Sequence, residues 1–420
     1  MKTVIMAGGK GTRMATLHDN IPKPMIKLCG KPIIEHQIER FKSYGFNEFI
    51  IVTGYLGEQI VDYFGDGSDF DVSIQYYNEK QPLGTAGALF RLKEQLTEDF
   101  FLINGDLLFD VKLPAFLQFH FRSNGFATIL THSNDHPYDS GIIQSNQDDL
   151  VLKWLHSEEN RLWYKNQINA GIHILSPSAL RIKRVSDVMN LDRDVLTPLI
   201  SQKKLYSYQT TEYVYDLGTP ERLSAAIHDI ETGMLSKKSL ANKQRAIFLD
   251  RDGVINREKG IIHNIDDFEL LDDVPQAIRM MNKSGYLVIV TTNQPVIARG
   301  ELDFEGLTEI HNKMETLLGK EGAYVDDIFF CPHHPHRGYD GERIEYKIEC
   351  DCRKPKPGML LEAARKYNIN LSDSWMVGDH MRDIEAGRNA GCQTAFIGEA
   401  KAGMESFQSL LHFSKSKICL

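Results

Sequence analysis

Two aspartates one residue apart, Asp250 and Asp252, follow the apolar run of RAIFLDRDGVIN. The two-residue period of a strand puts both carboxylates on the same side as the chain leaves the sheet. Ligands of open α/β sheets bind at that carboxyl edge. Two acids there can divide labour, one attacking phosphorus and the other passing the proton. A lone Asp-x-Asp also ends many solvated turns, so its meaning rests on what closes the later strands. Thr292-Asn293-Gln294 closes GYLVIVTTN, Arg353-Lys354-Pro355 precedes a helical stretch, and Gly378-Asp379 closes SWMVGD with Asp383 just beyond. Between these lie Cys331-Pro332-His333-His334 and Cys350-Asp351-Cys352. Three thiolates and one imidazole can enclose a tetrahedral Zn²⁺, and such a closed set is structural. One buried cysteine is usually a small apolar filler, but these lie in a polar, histidine-rich loop. His333, His334 and His336 all qualify as the fourth ligand.

A second set opens the chain. KTVIM runs into Ala7-Gly8-Gly9-Lys10-Gly11-Thr12-Arg13. A glycine-rich turn after a buried strand lets backbone N–H groups approach phosphate oxygens. It lacks the Gly-Lys-Ser/Thr end of a P-loop and the third glycine of the dinucleotide fingerprint. In Pro22-Lys23-Pro24-Met25, two prolines fix the backbone around one lysine, a point charge suited to a polyphosphate.

The elements that must hold these groups follow from the pattern. KTVIM, FNEFIIVTG, DFFLING, FATILTH and INAGIHIL are apolar, β-branched runs separated by amphipathic stretches. The alternation predicts an α/β layered fold with a mostly parallel sheet. It fades into GMLSKKSLANKQ, polar and aperiodic, which makes residues 234–244 a linker. RAIFLD, GYLVIVTTN, YVDDIFF and SDSWMVGD then begin a second α/β series. The expected division is a domain over 1–233, the linker, a domain over 245–400 and a tail over 401–420 that docks or frays.

The 420 residues are too many for one ordinary core. A hydrophobic share of 42% and a charged share of 25% are those of a globular protein in water. No apolar run approaches the roughly 20 residues that span a bilayer, and the apolar start breaks at glycine too early for a signal peptide. A net charge of −9 argues against a general nucleic-acid surface. Six cysteines are too few for a disulfide scaffold. The chain is expected in the cytoplasm, and assembly with its own copies is left open.

GGKGTR followed by PKPM resembles the signature of the sugar-1-phosphate nucleotidyltransferases, and the similarity runs over residues 1 to about 232. Gln81-Pro82-Leu83-Gly84-Thr85-Ala86-Gly87 is similar to that family's base-recognising segment. Asn104-Gly105-Asp106 resembles its first metal-binding aspartate, Asp216 in YDLGTP the second, and Asn169-Ala170-Gly171 the sugar-binding strand. The resemblance implies a Rossmann-like domain in which a sugar-1-phosphate oxygen attacks the α-phosphorus of a nucleoside triphosphate and pyrophosphate leaves. Mg²⁺ would lie between Asp106 and Asp216, while Lys23 and Arg13 stabilise the triphosphate. Gly8, Gly9, Gly11, Thr12, Gln81, Gly84 and Thr85 would line the nucleotide, and Asn169 and Gly171 the sugar. Many members carry Glu-Lys-Pro where this chain reads Leu152-Lys153-Trp154. Lys153 is expected at the sugar phosphate, with Lys165 as its rival.

Over residues 245 to about 400 the motifs resemble the haloacid-dehalogenase superfamily of phosphatases. The resemblance implies a capless Rossmannoid domain with Asp250 as nucleophile and Asp252 as proton donor and acceptor. Thr292 and Lys354 would hold the phosphoryl oxygens, with Asn293 and Arg353 toward the substrate. Asp250, Asp379 and the Asp252 carbonyl would bind Mg²⁺. DRDGVIN, TNQ…ARG, CPHHP and CDCRKPKPGM are similar to the heptose-bisphosphate phosphatases, with histidinol-phosphate phosphatase as a cousin. That subgroup's Cys-x-His…Cys-x-Cys pattern points to Cys331, His333, Cys350 and Cys352 as a structural Zn²⁺ set. Pro295-Val296 replaces the usual Ser-Gly, and the stretch from His334 to Cys350 is long. Together the resemblances imply a bifunctional enzyme that dephosphorylates D-glycero-D-manno-heptose 1,7-bisphosphate and activates heptose 1-phosphate, with GTP favoured. Another sugar such as mannose, histidinol phosphate as substrate, or a ligand-sensing scaffold are the other readings.

Overall fold

The computed structural model describes residues 1–9, 20–182, 186–399 and 403–418. They divide into two compact units, the first made of residues 1–132, 143–154 and 169–239, the second of 133–142, 155–168 and 240–420. The second unit thus includes two stretches that the sequence pattern assigns to the first domain. The division at Ser239 and Leu240 lies inside the stretch 234–244, which holds a short helix, Met234–Lys237.

The strands up to that division are β1 (Thr3–Met6), β2 (Lys27–Leu28), β3 (Lys31–Pro32), β4 (Glu48–Thr53), β5 (Ser73–Asn78), β6 (Phe100–Asn104), β7 (Leu107–Asp110), β8 (Ala127–His132), β9 (Ile142–Ser145), β10 (Val151–Leu155), β11 (Ile168–Leu175), β12 (Leu205–Gln209) and β13 (Tyr213–Asp216). A nine-stranded sheet runs in the order β10-β9-β11-β6-β1-β4-β5, with β8 joining β11 to β12. β1 lies parallel between β4 and β6, with Ile5 opposite both Ile51 and Ile103. Val4, Val52 and Leu102 face one apolar cluster while Ile5, Ile51 and Ile103 face another. Both faces are covered, so the strands read as continuous apolar runs. The sheet is mixed, however, because β11 runs antiparallel to β6, with Ile172 opposite Ile103. INAGIHIL is apolar on both faces, and such a run encodes burial but not direction. β13 pairs antiparallel with β7 in a separate ladder that sets Asp216 opposite Leu107.

In the second unit, β14 (Arg245–Leu249), β15 (Tyr286–Asn293), β16 (Asp327–Cys331), β17 (Trp375–Gly378), β18 (Gln393–Ile397) and β19 (Ser406–Phe407) form one sheet in the order β16-β15-β14-β17-β18-β19. Every pairing in it is parallel. Ile247 and Leu249 face one core, Ala246 and Phe248 the other. Between Asp252 and β15 there is one helix, Val274–Lys283, and a short 3₁₀ turn, with no cap domain among the described residues. The tail belongs to this unit. β19 pairs with β18, and Phe407, Leu410, Phe413 and Ile418 enter the core beside Val274, Ile278 and Met281. A domain end at residue 400 is therefore too early, because LLHFSKSK is short and weakly amphipathic when read alone. The helix Phe304–Lys320, capped by the Asp303 side chain on the Gly306 N–H, packs Ile310, Met314 and Leu318 into the same core.

Residues 133–142 and 155–168 are tied to each other and to that helix. The Asn166 side chain donates to the Asn134 carbonyl at 2.7 Å, and Arg161 donates to the carbonyls of Ser140 and Tyr138. The Tyr164 N–H donates to Thr316 Oγ1 at 2.9 Å, and the Asn166 N–H to the buried Glu315 at 2.8 Å. No helix among the described residues is long and apolar enough to cross a membrane.

Candidate active sites

In the first unit the chain leaves β1 at Ala7, whose N–H donates to the Val52 carbonyl. A Cβ on Gly8 would lie 2.8 Å from Glu79 Oε2, the movable end of that side chain, while Gly9 faces open space. Gly11, Thr12 and Arg13 lie outside the described residues. Lys23 sits in the 3₁₀ turn Lys23–Met25 entered through Pro22, and its ammonium pairs with the Asp106 carboxylate. Asp106 lies between β6 and β7, and its carbonyl accepts the Leu217 N–H at 3.0 Å. The ladder of β7 and β13 therefore brings Asp216 beside Asp106 from 110 residues away in the sequence. Asp216 Oδ2 takes Arg222 Nη1 at 2.5 Å and its Oδ1 takes the Gly218 N–H. Two carboxylates at one ladder end, each held by one cation, suit a divalent ion and a polyphosphate.

The sugar-side residues converge on the same turn. Gly171, at φ +75°, lies so close to β6 that a Cβ would stand 2.7 Å from Asn104 Nδ2. Asn169 Oδ1 accepts the Gly171 N–H and meets the ring of the buried His173, whose pKa burial lowers to about 4. Gln37, not singled out in the sequence, is buried and donates to the carbonyls of Asn104 and Leu107 at 3.0 and 2.7 Å, fixing the turn that carries Asp106. Gln81 and Thr85 are exposed, Gly84 takes φ +77°, and Thr85 Oγ1 accepts the Leu191 N–H at 2.7 Å. Lys153 is exposed on β10, the sheet's edge. Lys165 instead lowers, through its charge, the pKa of two carboxylates of the second unit, the buried Glu315 and the half-buried Asp327.

In the second unit the parallel sheet delivers its groups at one edge. Asp250 follows β14, is buried, and accepts the Arg251 N–H at 2.8 Å. Lys354 is fully buried, with its ammonium 2.9 Å from Asp250 Oδ1, 2.6 Å from Asp383 Oδ1 and 2.7 Å from the Thr291 carbonyl. Burial, then the charges of Asp383 and Asp252, push Asp250 up to about 7 against the pull of Lys354. Burial works against the Lys354 charge, but the two carboxylates hold its pKa above the ordinary lysine value. Asn293 clamps the Lys354 backbone, donating to its carbonyl and accepting its N–H, both at 3.0 Å. Thr292 Oγ1 accepts from Gln294 Nε2, which also donates to Asp252 Oδ2. Gly253, at φ +79°, leaves room for Asp379, whose Oδ2 would lie 2.1 Å from a Cβ there. Asp383 completes the set; it caps the following helix through the His380 N–H and faces Lys354. The sequence marked its position but assigned it no role.

With Asp250, Asp252, Asp379 and Asp383 against Lys354 and Arg251, acid exceeds base by two charges. That excess suits Mg²⁺, and Asp250, Asp379 and the Asp252 carbonyl, at the same sheet edge, are the groups that could hold it. Bound there, the ion would neutralise charge on the transferring phosphoryl group.

The thiol cluster stands on the neighbouring strand. Cys331 ends β16 opposite Asn293, and its carbonyl accepts the Gln294 N–H at 2.8 Å. The sulfurs of Cys331, Cys350 and Cys352 are 3.2–3.5 Å apart, and His333 Nδ1 is 3.3 Å from Cys352 and 3.7 Å from Cys331. A tetrahedral zinc sets sulfurs about 3.8 Å apart and sulfur and nitrogen about 3.6 Å apart. Shifts of about half an ångström or less therefore fit the cluster to zinc. His334 is turned to the His336 carbonyl, and the two lie outside the cluster. Arg353 donates to the His333 carbonyl at 3.0 Å, tying the loop to Lys354. Val296, where a small residue is usual, is absorbed in a cluster with Ile297 and Leu307.

Comparison with known proteins agrees with both halves. A nucleotidyl transferase family model matches residues 2–233, and a haloacid-dehalogenase hydrolase-like model matches residues 351–410. The chain is 45% identical over 141 residues to the D-glycero-β-D-manno-heptose-1,7-bisphosphate 7-phosphatase of Photorhabdus laumondii, covering 34% of this chain and 73% of that one. To the enzyme of the same name from Escherichia coli K12 it is 44% identical over 161 residues, 38% of this chain and 81% of that one. A Bacillus anthracis protein described as a glucose-1-phosphate thymidylyltransferase shares the first fold at a TM-score of 0.50 and 20% identity, over 54% of this chain and 94% of its own. The chain thus belongs to the nucleotidyl transferase family and is a fusion of a sugar-1-phosphate nucleotidyltransferase with a haloacid-dehalogenase phosphatase related to the heptose-1,7-bisphosphate 7-phosphatases.

Proposed function

We propose that the two domains catalyse successive steps toward a nucleotide-activated heptose. The phosphatase removes the 7-phosphate of D-glycero-D-manno-heptose 1,7-bisphosphate. The transferase then joins GMP from GTP to the resulting heptose 1-phosphate and releases pyrophosphate. The observation that carries this reading is the 44–45% identity of the second domain to phosphatases of that specificity. Its product is the type of molecule that the first domain's family consumes. GTP is chosen because the resembling transferases serve the GDP branch of this chemistry. Both steps are placed in the cytoplasm, with the nucleoside triphosphate.

In this reading an Asp250 oxygen attacks phosphorus while Lys354 and Thr292 hold the phosphoryl oxygens. Asp252 gives a proton to the departing sugar oxygen, then takes one from the water that cleaves the aspartyl-phosphate. In the transferase no protein nucleophile is needed. Lys23 stabilises the triphosphate, and Asn169 and Gly171 orient the sugar, so positioning carries the rate. Asp106 and Asp216 would hold Mg²⁺, which would spread charge over the phosphates when bound. Cys331, His333, Cys350 and Cys352 would hold zinc as a structural pin for the loop beside Lys354.

The test is a coupled assay with heptose 1,7-bisphosphate, Mg²⁺ and each of four nucleoside triphosphates, following phosphate and pyrophosphate separately. Phosphate release that Asp250→Asn abolishes, with pyrophosphate released only in the presence of GTP, is the expected result. Phosphate without pyrophosphate for any nucleotide removes the proposed transferase substrate. Neither product removes the heptose reading.

A further inference from the structure

Arg251 stands between the two aspartates, yet its side chain is fully buried. Its Nε donates to Asp252 Oδ1 at 3.1 Å, and Nη2 donates to Oδ1 at 2.9 Å and Oδ2 at 3.0 Å. On its far side, Nη1 lies 3.3 Å from Nε2 of His311, a buried residue of the helix Phe304–Lys320. Arginine keeps its proton, so that nitrogen of His311 is the acceptor and its ring is neutral. Burial and the Arg251 charge both drive the ring the same way. Two more donors complete the shell of Asp252: Asn256 Nδ2 on Oδ1 at 3.1 Å and Gln294 Nε2 on Oδ2 at 3.0 Å. The Arg251 carbonyl also accepts the N–H groups of Ile255 and Asn256, so the backbone beneath the clamp is pinned.

Burying a guanidinium is costly unless its partners offset the lost hydration. A turn alone needs no such residue, since the tight bend here is supplied by Gly253 at φ +79°. What the guanidinium does is hold one half-exposed carboxylate in one orientation. Carboxylate oxygens accept about two hydrogen bonds each. Oδ1 has three donors and Oδ2 two, so Oδ2 is the less crowded of the two oxygens.

We propose that Arg251, backed by His311, is a positioning residue for Asp252, locking its carboxylate so that Oδ2 is the oxygen that exchanges the proton with the sugar oxygen and then with water. This rests on the reading of Asp252 as the proton-transfer group. No atom of Arg251 reacts, and the proton balance of the reaction is unchanged.

The experiment uses the full chain and two substrates that differ in need for a proton. Heptose 1,7-bisphosphate loses a poor leaving group, whereas the nitrophenolate of p-nitrophenyl phosphate departs without one. Arg251→Lys is expected to lower kcat on the bisphosphate by about 100-fold or more, with KM within about threefold. First-turnover nitrophenolate release should stay within about fivefold of the parent, because that step needs no acid. Guanidinium ion added to Arg251→Ala should restore part of the bisphosphate rate. His311→Gln, which keeps an acceptor, should match the parent, while His311→Leu should fall in kcat. If Arg251→Ala does not fold, as read by near-ultraviolet circular dichroism, the comparison stands on Arg251→Lys and the His311 pair. Equal losses on both substrates, or a loss confined to KM, overturn the proposal and make Arg251 a structural residue. Asp252→Asn separates the two readings: a retained bisphosphate rate there would overturn the role of Asp252 itself.

Discussion

Zinc binding by Cys331, His333, Cys350 and Cys352 is predicted to weaken by about three powers of ten for each pH unit lost below neutrality. Thiols ordinarily lose their protons near pH 8.5. Burial raises Cys350, and a hydrogen bond to Cys331 together with burial raises Cys352. Ordinary thiols are protonated near pH 6.5, and Cys350 and Cys352 more firmly so, so forming three thiolate–zinc bonds expels three protons. Each expelled proton costs about 1.4 kcal/mol per pH unit, which sums to about 4 kcal/mol. His333 adds less to the count than an ordinary imidazole would, because burial lowers its pKa. The assay is competition with a chromophoric chelator on the full chain from pH 6.0 to 7.5, under a reductant that carries no thiol. Cys352→Ser should reduce the slope to about two powers of ten. A slope of one or less in the parent would refute the reasoning, since the metal would then not be held by three thiolates.

Other expectations follow from single contacts. Glu315 is buried and its pKa is raised by burial to about 7, so between its ordinary value and pH 7 the unfolded chain sheds a proton that the folded chain keeps. Stability should fall as pH rises through that window, by about 3 kcal/mol, and Glu315→Gln should remove that fall in urea melts at pH 5 and pH 8. Lys354→Met leaves Asp250 and Asp383 buried without their shared cation; a loss of about 3–5 kcal/mol in the unfolding of the second unit is expected, with phosphate release lost and pyrophosphate release from added heptose 1-phosphate kept. Gly171→Ala puts a methyl group 2.7 Å from Asn104 Nδ2, and pyrophosphate release should drop about 10- to 100-fold while phosphate release is unchanged.

Much of this was legible because apolar runs and strand-end polar groups are local signals. KTVIM, FFLIN, RAIFL and YLVIVTTN announce strands by composition, and Asp106, Asp250 and Thr292 lie where such strands end. Direction is not local, which is why the antiparallel course of β11 and the ladder that sets Asp216 beside Asp106 emerge only in three dimensions. Lys165, the rival of Lys153 by its neighbours in sequence, lies where its charge reaches Glu315 and Asp327, a placement no local pattern announces. Arg251 and Gln37 carry no local signal, for a common reason. A polar residue beside a motif reads as solvated unless its partners are known, and His311 and Leu107 are far away in the chain. The helical tail was hidden by brevity, since one apolar face over eight residues carries little pattern.

The interleaving of the second unit has a consequence for the order of synthesis. Tyr164 and Asn166 are translated well before the helix that receives them, Phe304–Lys320. At about 5–20 residues per second that helix follows them by roughly 10–30 s. For that interval the nascent chain carries the Ile142, Leu155, Tyr164 and Ile168 cluster without its later partners. In a gene cut at the linker, residues 133–142 and 155–168 would stay with the first half while the rest of the second unit, Leu240–Leu420, went with the other.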